Sequence, residues 1–286
     1  MMDLSIILPV YNEEKSIKKV IEDLINNIDS KKYNIEIIVV NDGSTDDTKS
    51  IAESCGVLII DHPVNLGYGT ALMTGIEKSN NEYIVTIDAD GSYPVSEILK
   101  LLEYAEKFDL VIGARTGKEY HGTLIKYPAR ILFKWLAEFT AGVKIPDVNS
   151  GLRIFKKSAY KKLSLPLLCR GFSFSTTMTL SFLLTGLTVK FVPIKYLSRE
   201  GHSKVRYIRD TLRTLQALTE VIIYYNPLKL ILLLCVFPIL FSVIFFYLYF
   251  IAKNPIWLFA GIASIYFTIL FYILGLILDL LRMNRE

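Results

Sequence analysis

Apolar and polar residues alternate in blocks along the first part of the chain. Short apolar runs predict five strands, over 4–10, 35–40, 57–60, 83–87 and 110–112. Apolar residues at helical spacing predict helices between the strands, over 14–28, 46–54, 69–79 and 95–107. Strands that alternate with helices are typical of an α/β fold, in which helices cover both faces of a mostly parallel sheet.

Beyond Gly113 the alternation gives way to two amphipathic segments. In residues 128–139, the apolar side chains form one stripe: Ile131, Leu132, Trp135, Leu136 and Phe139. In residues 205–225, a second stripe consists of Ile208, Leu212, Leu215, Leu218 and Ile222. Either stripe fits an ordinary core helix. The second segment runs directly into a long apolar run, which favours a position at a bilayer surface with its arginines facing anionic head groups.

Two apolar runs, 230–252 and 254–278, are separated only by Lys253. Each exceeds the roughly 20 residues that cross a bilayer. A pair of buried core helices is the alternative, but such helices rarely run so far without a charge. We therefore predict a soluble domain over 1–204, an amphipathic juxtamembrane helix over 205–226, and two transmembrane helices with a short tail over 227–286.

The basic residues flanking these runs predict their orientation. Only Lys253 lies in the connecting loop, whereas the flanks carry Lys204, Arg206, Arg209, Arg213, Lys229, Arg282 and Arg285. Positive charge stays on the cytoplasmic side. We therefore expect a protein of the cell membrane whose soluble domain and C-terminus are both cytoplasmic.

Composition excludes several other classes of protein. The chain has 32 basic and 28 acidic residues, a net charge of +4, which is too small to indicate a nucleic-acid partner. An odd number of cysteines, with Cys235 in an apolar run, predicts free thiols and a reducing compartment. The histidines, His62, His121 and His202, show no metal-ligand spacing, so surface or capping roles are expected for them.

Polar motifs follow four of the predicted strands. In open α/β sheets, ligands bind beyond the carboxyl ends of the strands, and these positions hold Pro9–Glu14 (PVYNEE), Asn41–Asp46 (NDGSTD), Asn65–Ala71 (NLGYGTA) and Asp88–Gly91 (DADG). The second motif also fits a plain turn with a helix cap. The third is a weak glycine signal, because it lacks the third glycine of a dinucleotide site.

Among these residues, Asp88 and Asp90 give the clearest indication of a metal site. Alternate residues of an extended chain point to the same side, so the two carboxylates can converge on one hard divalent cation, which often shares its oxygen ligands with substrate phosphates. Two carboxylates at the end of an apolar strand are costly unless something positive sits there. The alternative is a solvated acidic turn.

The chain resembles family-2 glycosyltransferases with the A-type nucleotide-sugar-binding, Rossmann-like fold in three of these motifs, Pro9–Glu14, Asn41–Asp46 and Asp88–Gly91, and in the spacing between them. Asp147–Arg153 (DVNSGLR), and Val192–Ile194 (VPI) with the Arg199, Gly201, Ser203 and Lys204 that follow, resemble the polyprenyl-phosphate sugar synthases, the group that contains dolichol-phosphate mannose synthase. The resemblance covers about residues 3–213, and the two-helix tail resembles the anchors of part of that group.

The resemblance implies a role for each matching residue. It implies Mg²⁺ or Mn²⁺ as the cofactor, with Asp90 as a direct metal ligand and Asp88 near the metal and the ribose. It assigns Arg115 to the donor phosphates and Asp147 to the acceptor, as a candidate base. The remaining implied contacts are Pro9, Tyr11 and Glu13 to the nucleotide, Asp42 to the base or ribose, and Arg199 and Ser203 to a phosphate.

The implied activity is inverting transfer of a hexose, mannose or glucose, from a nucleotide diphosphate sugar such as GDP-mannose or UDP-glucose to a polyprenyl phosphate. A phosphomonoester has a second pKa of about 6, so the acceptor is largely dianionic at neutral pH and needs positioning more than deprotonation. Arg199 and Lys204 can supply that positioning, although Arg199 also fits a plain surface arginine.

Two departures from the family pattern bear on this activity. Residues 171–178 hold only hydroxyl and apolar side chains where many relatives carry an acidic residue, and Asn41 stands where many have Asp. The first departure fits a phosphate acceptor better than a hydroxyl acceptor, which needs a base. Transfer to a glycan or protein hydroxyl, and an inactive membrane scaffold, remain the alternatives, and a homo-oligomer stays open.

Overall fold

A computed structural model describes residues 1–29, 31–116, 127–164, 168–198 and 207–284 of the chain. The chain divides into two compact units, Met1–Leu218 and Thr219–Glu286. The first unit holds a sheet with its covering helices, and the second consists of long apolar helices.

The first unit is built on a seven-stranded sheet of order β3-β2-β1-β4-β6-β5-β7. β6 runs antiparallel to both of its neighbours, and every other pairing is parallel. This confirms the predicted mostly parallel sheet. The strands are β1 (Met2–Val10), β2 (Tyr33–Asn41), β3 (Leu58–Asp61), β4 (Tyr83–Thr86), β5 (Leu110–Thr116), β6 (Arg153–Lys156) and β7 (Val189–Lys195).

Helices follow most of the strands. In the first unit they are α1 (Ile17–Asn27), α2 (Thr48–Ser54), α3 (Tyr68–Lys78), α4 (Val95–Ala105), α5 (Tyr127–Ala141), α6 (Lys157–Tyr160) and α7 (Phe174–Leu184). Helix α8 (Tyr207–Tyr225) crosses the boundary between the units, and α9 (Pro227–Ala252) and α10 (Pro255–Met283) follow it.

Both faces of the sheet are buried, which explains the near-continuous apolar runs of its central strands. On one face, Leu4, Ile6 and Leu8 of β1 belong to a core shared with α1 and α4. On the other face, Ile7 packs in a core that includes residues of α3 and α7. Because successive side chains of a strand point to opposite faces, β1 contributes to both cores.

The reversed strand β6 decides what reaches the carboxyl edge of the sheet. Arg153 begins β6 and pairs with Thr86, the last residue of β4. The segment that leads into β6, residues 147–152, therefore lies at the edge where the parallel strands end. A parallel strand in this place would have brought that segment to the opposite edge.

Strand β5 is longer than its apolar run predicts. It pairs with β7 from Leu110 opposite Val189 to Thr116 opposite Lys195. Arg115 therefore lies inside the strand rather than after it. Helix α1, by contrast, begins later than predicted, at Ile17, because the backbone of residues 12–14 is hydrogen-bonded to the 44–48 segment.

Three residues of the apolar stripe of α5 face outward, whereas Leu136 and Phe139 are half-buried. Ile131, Leu132 and Trp135 are each about half exposed, at 51%, 49% and 46%. In α8, Leu212 and Leu215 are exposed as well, whereas Leu218 is buried. An ordinary core helix would bury its stripe, so α5 does not match that alternative.

The second unit contains two helices long and apolar enough to cross a membrane, and little of either is buried. Asn226 and Asn254 cap them, each accepting a backbone N–H, with a proline at the first turn. Gly261 and Gly275 of α10 lie against Phe246 and Ile231 of α9. Small residues at such contacts let membrane helices approach closely.

Gly75 sets the distance between α3 and the sheet. A Cβ at this position would lie 2.5 Å from Ile7 Cγ2 and 3.2 Å from Val40 Cγ2. We expect Gly75→Ile to lower the free energy of unfolding by about 1–3 kcal/mol, because overpacking forces neighbouring side chains off their rotamers. Urea unfolding of detergent-solubilised protein measures the change. Glu77→Ile, on the exposed side of the same helix, is the matched control, and equal stability of the two variants would contradict the packing.

Candidate active site

The carboxyl edge of the sheet brings together the segments singled out in the sequence. The ends of β1, β2 and β4 and the residues after β3 meet there, together with Arg115 and residues 147–152. Most of the predicted nucleotide, metal and acceptor residues therefore lie on one side of the fold. Arg199, Ser203 and Lys204, the predicted acceptor-phosphate residues, lie outside the described residues.

The ends of β1 and β2 interlock. Asn12 donates its backbone N–H to Ser44 Oγ at 3.0 Å, and its side chain accepts the N–H of Thr45 at 2.8 Å. Asn12 has a φ of +52°, which asparagine tolerates better than most residues. Glu13 N–H donates to Thr48 Oγ1 at 2.7 Å. The loop thereby fixed also carries Tyr11, and both Tyr11 and Glu13 are half-buried after a buried Pro9.

Asp42 is buried and tied to the segment that follows β3. Its carboxylate accepts the backbone N–H groups of Leu66 and Gly67 at 2.9 and 2.8 Å. His62 Nδ1 lies 2.7 Å from Asp42 Oδ1, and its Nε2 lies 3.0 Å from Thr74 Oγ1. The expected surface or capping role of His62 is therefore wrong, since the ring is buried beside a carboxylate. Its position directly after β3 was the signal that it belongs to this edge.

Asp88 is held at the end of β4 by a phenol. Tyr68 donates its hydroxyl to Asp88 Oδ1 at 2.8 Å. Burial, followed by the nearby Asp88 charge, raises the pKa of Tyr68 well above its ordinary value, so the phenol stays protonated and keeps donating. Gly151 lies against the other side of this carboxylate, where a Cβ would stand 2.5 Å from Asp88 Oδ2.

Asp90 lies two residues further and is 9% exposed. Its Oδ1 accepts the Ser92 backbone N–H at 3.0 Å and the Ser92 hydroxyl. Two carboxylates at alternate positions offer the hard oxygen ligands that Mg²⁺ or Mn²⁺ takes. No three acidic, histidine or cysteine side chains cluster as a metal site within the described ranges. The two carboxylates fit a cation that would take water and substrate phosphate oxygens as its other ligands.

Arg115 and Asp147 form a bidentate ion pair. Arg115 Nε donates to Asp147 Oδ2 at 2.7 Å and Nη2 to Oδ1 at 3.0 Å, and the Arg115 backbone N–H adds a third bond. Burial alone would raise the pKa of Asp147, but the Arg115 charge and the hydrogen bonds outweigh it, so the pKa is lowered. A carboxylate held this way binds protons weakly and makes a poor general base.

Arg153 is a second cation at this edge, and it is almost fully buried. Its guanidinium donates to the carbonyl oxygens of Ser150 and Val148 and to Thr179 Oγ1, at 2.8–3.0 Å. All three acceptors are neutral. Burial lowers the pKa of Arg153 to about 10, which still leaves it charged at neutral pH. It ties the segment that carries Asp147 and Gly151 to helix α7.

Helix α7 replaces the missing acidic residue with buried hydroxyls. Thr176, Thr177 and Thr179 are all buried. The Thr176 hydroxyl donates to Asn149 Oδ1, and the Thr179 hydroxyl accepts a hydrogen bond from the Arg153 guanidinium. Thr176 therefore binds the 147–151 segment directly and Thr179 binds Arg153, whereas Thr177 accepts the backbone N–H of Cys169.

Comparison with known proteins decides the class of the chain. The family model described as "Glycosyl transferase family 2" matches residues 5–164, which contain most of β1, all of β2 to β6, and the strand-end motifs. The chain belongs to glycosyl transferase family 2. The predicted family and enzyme class are confirmed, and the inactive scaffold is set aside.

Relatives of this family-2 chain come from archaea and other organisms. It is 31% identical over 206 residues to an uncharacterized protein of Methanocaldococcus jannaschii, covering 69% of this chain and 83% of the relative. It is 30% identical over 220 residues to the UDP-N-acetylglucosamine--dolichyl-phosphate N-acetylglucosaminyltransferase of Methanococcus voltae, covering 68% and 86%. For a low-salt glycan biosynthesis hexosyltransferase of Haloferax volcanii, at 30% identity, the match covers 72% of this chain and only 51% of the relative.

Solved structures confirm the predicted fold of this family-2 enzyme. Glucosyl-3-phosphoglycerate synthase from Mycobacterium tuberculosis, crystallised with Mn²⁺, UDP-glucose and phosphoglyceric acid, superposes with a TM-score of 0.63 at 22% identity. The match covers 77% of this chain and 80% of that one. Identity at this level supports the shared fold of the sheet domain and no further property.

The Arg115–Asp147 pair predicts a pH-dependent contribution to stability. A carboxyl whose pKa is lowered on folding stabilises the protein above its ordinary value of 3.8, and this contribution disappears as the pH falls through the folded-state pKa. We expect Asp147→Asn to lower the free energy of unfolding by about 3–5 kcal/mol at pH 7, since it removes one partner of a buried ion pair.

Urea unfolding of the wild type and Asp147→Asn, at pH values from 8 down to 3, measures this difference. It should stay constant above pH 5 and shrink below about pH 4. Asp3→Asn, which changes an exposed carboxylate, is the control and should cost little at any pH. A difference between wild type and Asp147→Asn that does not change with pH would contradict the lowered pKa.

Proposed function

We propose that this enzyme transfers a hexose, mannose or glucose, from a nucleotide diphosphate sugar to a polyprenyl phosphate at the cytoplasmic face of a membrane. The observation that carries the proposal is the Asp88–Asp90 pair at the end of β4, in a chain that also holds two membrane-length helices. Relatives named as dolichyl-phosphate transferases, in Methanococcus voltae and Haloferax volcanii, support a lipid phosphate acceptor.

The donor end of the site is proposed to lie along β1, β2 and β4. Pro9, Tyr11, Glu13 and Asp42 would line the nucleotide pocket, and Asp88 and Asp90 would hold Mg²⁺ or Mn²⁺. When bound, the cation neutralises the charge that develops on the departing nucleoside diphosphate. Mn²⁺ and UDP-glucose in the Mycobacterium tuberculosis structure, and Mg²⁺ with UDP in another crystal of that enzyme, support a divalent ion in this fold.

Arg115 would contact a phosphate group beside the Asp88–Asp90 pair. Its bidentate bond to Asp147 fixes the guanidinium plane, and its Cζ lies 5.3 Å from the centre of the Tyr196 ring. Side-chain rotamers locked in this way cost little further entropy when a substrate binds. We therefore assign Asp147 the role of orienting Arg115 rather than the role of general base.

The acceptor needs no base on the protein. A phosphate monoester is mostly dianionic at neutral pH, so one of its oxygens can attack the anomeric carbon directly. The new C–O bond forms as the bond from that carbon to the nucleoside diphosphate breaks, and the configuration inverts. The hydroxyl-rich α7, which offers no carboxylate, is consistent with this nucleophile. Arg199, Ser203 and Lys204 remain the proposed anchors of the acceptor phosphate.

Transfer into lipid tests the proposal. We expect label from a radioactive nucleotide sugar to enter organic-extractable polyprenyl phosphate when purified protein receives Mn²⁺ or Mg²⁺. Asp90→Asn should reduce the rate by at least about 100-fold, within the range measured when electrostatic stabilisation of a transition state is removed. Asp23→Asn, on the half-exposed side of α1, is the matched control. Label confined to water-soluble glycan or protein would favour a hydroxyl acceptor instead, and full activity of Asp90→Asn would contradict the site.

The exposed stripe of α5 is proposed to lie at the lipid surface, where Ile131, Leu132 and Trp135 would be shielded from water. The chain has two tryptophans, Trp135 and Trp257, so Trp257→Phe leaves Trp135 as the single reporter. In proteoliposomes we expect lipids brominated near the head group to quench its fluorescence. Emission that is unquenched by any brominated lipid would contradict the surface position. The wild type, which keeps Trp257 in α10, is the positive control for quenching.

A further inference from the structure

One short segment contacts the carboxylates at the ends of two strands that are not neighbours. Residues 62–68, here called the bracing segment, follow β3 and open α3. At its start the His62 ring contacts Asp42, which directly follows β2, and near its end the amides of Leu66 and Gly67 contact the same carboxylate. At its last residue, Tyr68 donates to Asp88, at the end of β4. Strand β1 lies between β2 and β4 in the sheet.

The Asp42 end of the bracing segment is anchored firmly. Asp42 is 3% exposed, so its carboxylate has lost almost all of its water. Two amides and an imidazole replace that water as hydrogen-bond partners, and removing a partner from a buried charge is costly. The position of Gly67, and of the Tyr68 that follows it, is therefore set by the hydrogen bonds to Asp42.

Tyr68 and the glycines on either side of it also pack against residues 169–172. Gly67 has a φ of +102°, and a Cβ there would lie 2.8 Å from the Arg170 carbonyl oxygen. At Gly69 a Cβ would lie 2.2 Å from the Cys169 carbonyl oxygen, so only glycine allows this approach. The Tyr68 ring stacks on Phe172, with centroids 6.1 Å apart and planes 19° apart. The phenol therefore has little freedom to turn away from Asp88.

We propose that Tyr68 is a positioning residue that holds the Asp88 carboxylate in the orientation needed for a divalent cation. This inference rests on the proposed function, because it takes Asp88 and Asp90 as the cation site. The bracing segment then couples the nucleotide end of the site, at Asp42, to the cation end, at Asp88. Mutation of a residue that hydrogen-bonds to a metal ligand typically lowers metal affinity or activity 10–100-fold.

Tyr68→Phe removes the donor and keeps the ring that stacks on Phe172. The matched control is Tyr160→Phe, which makes the same change in a buried tyrosine that packs on Phe155. Phe155 pairs with Ile84, near the amino end of β4, away from Asp88. The probe is Mn²⁺ alone, and the electron paramagnetic resonance signal of the free ion reports binding to full-length protein without donor or acceptor.

We expect wild type and Tyr160→Phe to bind Mn²⁺ alike, and Tyr68→Phe to bind it about 10–100-fold more weakly. Raising Mn²⁺ should then restore most of the transfer rate of Tyr68→Phe at saturating donor, a rescue that a misfolded variant would not show. Equal Mn²⁺ affinity of Tyr68→Phe and wild type would overturn the role of Tyr68.

Asp90→Asn separates this outcome from a failure of the proposed function. If wild type binds Mn²⁺ and Asp90→Asn does not, the cation site is established and the Tyr68 comparison stands by itself. If Asp90→Asn binds Mn²⁺ as tightly as the wild type does, the proposed cation site is wrong, and the role of Tyr68 falls with it. A transfer rate of Tyr68→Phe that stays low at every Mn²⁺ concentration would overturn the positioning role alone.

Discussion

Several carboxyl groups are buried at one edge of the sheet, and the need to give each of them polar partners shapes the candidate site. Asp42, Asp90 and Asp147 are each less than 10% exposed. A buried polar group is costly unless it is hydrogen-bonded. The fold meets this cost with different partners for each: amides and an imidazole for Asp42, a serine for Asp90 and a guanidinium for Asp147.

The nature of these partners separates two kinds of carboxylate. Asp147 is neutralised by Arg115 inside the protein, which suits a structural and orienting role. Asp88 and Asp90 accept hydrogen bonds from the hydroxyls of Tyr68 and Ser92, which orient one oxygen of each carboxylate. In the proposed function, this pair holds the divalent cation. Arg153 adds a buried positive charge at the same edge, where it offsets part of the negative charge of the carboxylates.

Much of this arrangement could be predicted from local sequence patterns. Strands β1, β2, β4 and β5 have apolar runs that mark their burial. The acidic and glycine-containing motifs follow β1 to β4, so their meeting at one edge follows from parallel pairing. The apolar length of 230–252 and 254–278 likewise predicted two long helices, which the structure contains. In each case the signal lies within a few neighbouring residues.

The remaining features depend on contacts that are distant in sequence. Strand β6 has only four residues, and its reversed direction depends on pairing with β4 and β5. Helix α7 is buried all round, so it shows no helical periodicity. His62 and Arg153 look like isolated polar residues until the fold brings Asp42 and the 148–150 carbonyls to them. The outward stripe of α5 has the same spacing as a core stripe, so pattern alone left its environment open.

The position of the cation tests the central claim most directly. Anomalous scattering from Mn²⁺, in crystals grown with a nucleoside diphosphate, locates the ion without reference to any assumed mechanism. The geometry of the carboxyl edge predicts one strong peak about 2.0–2.6 Å from a carboxylate oxygen of Asp90, next to Asp88 and touching the diphosphate. A peak elsewhere, or a nucleotide bound at this edge with no ion beside those carboxylates, would contradict it.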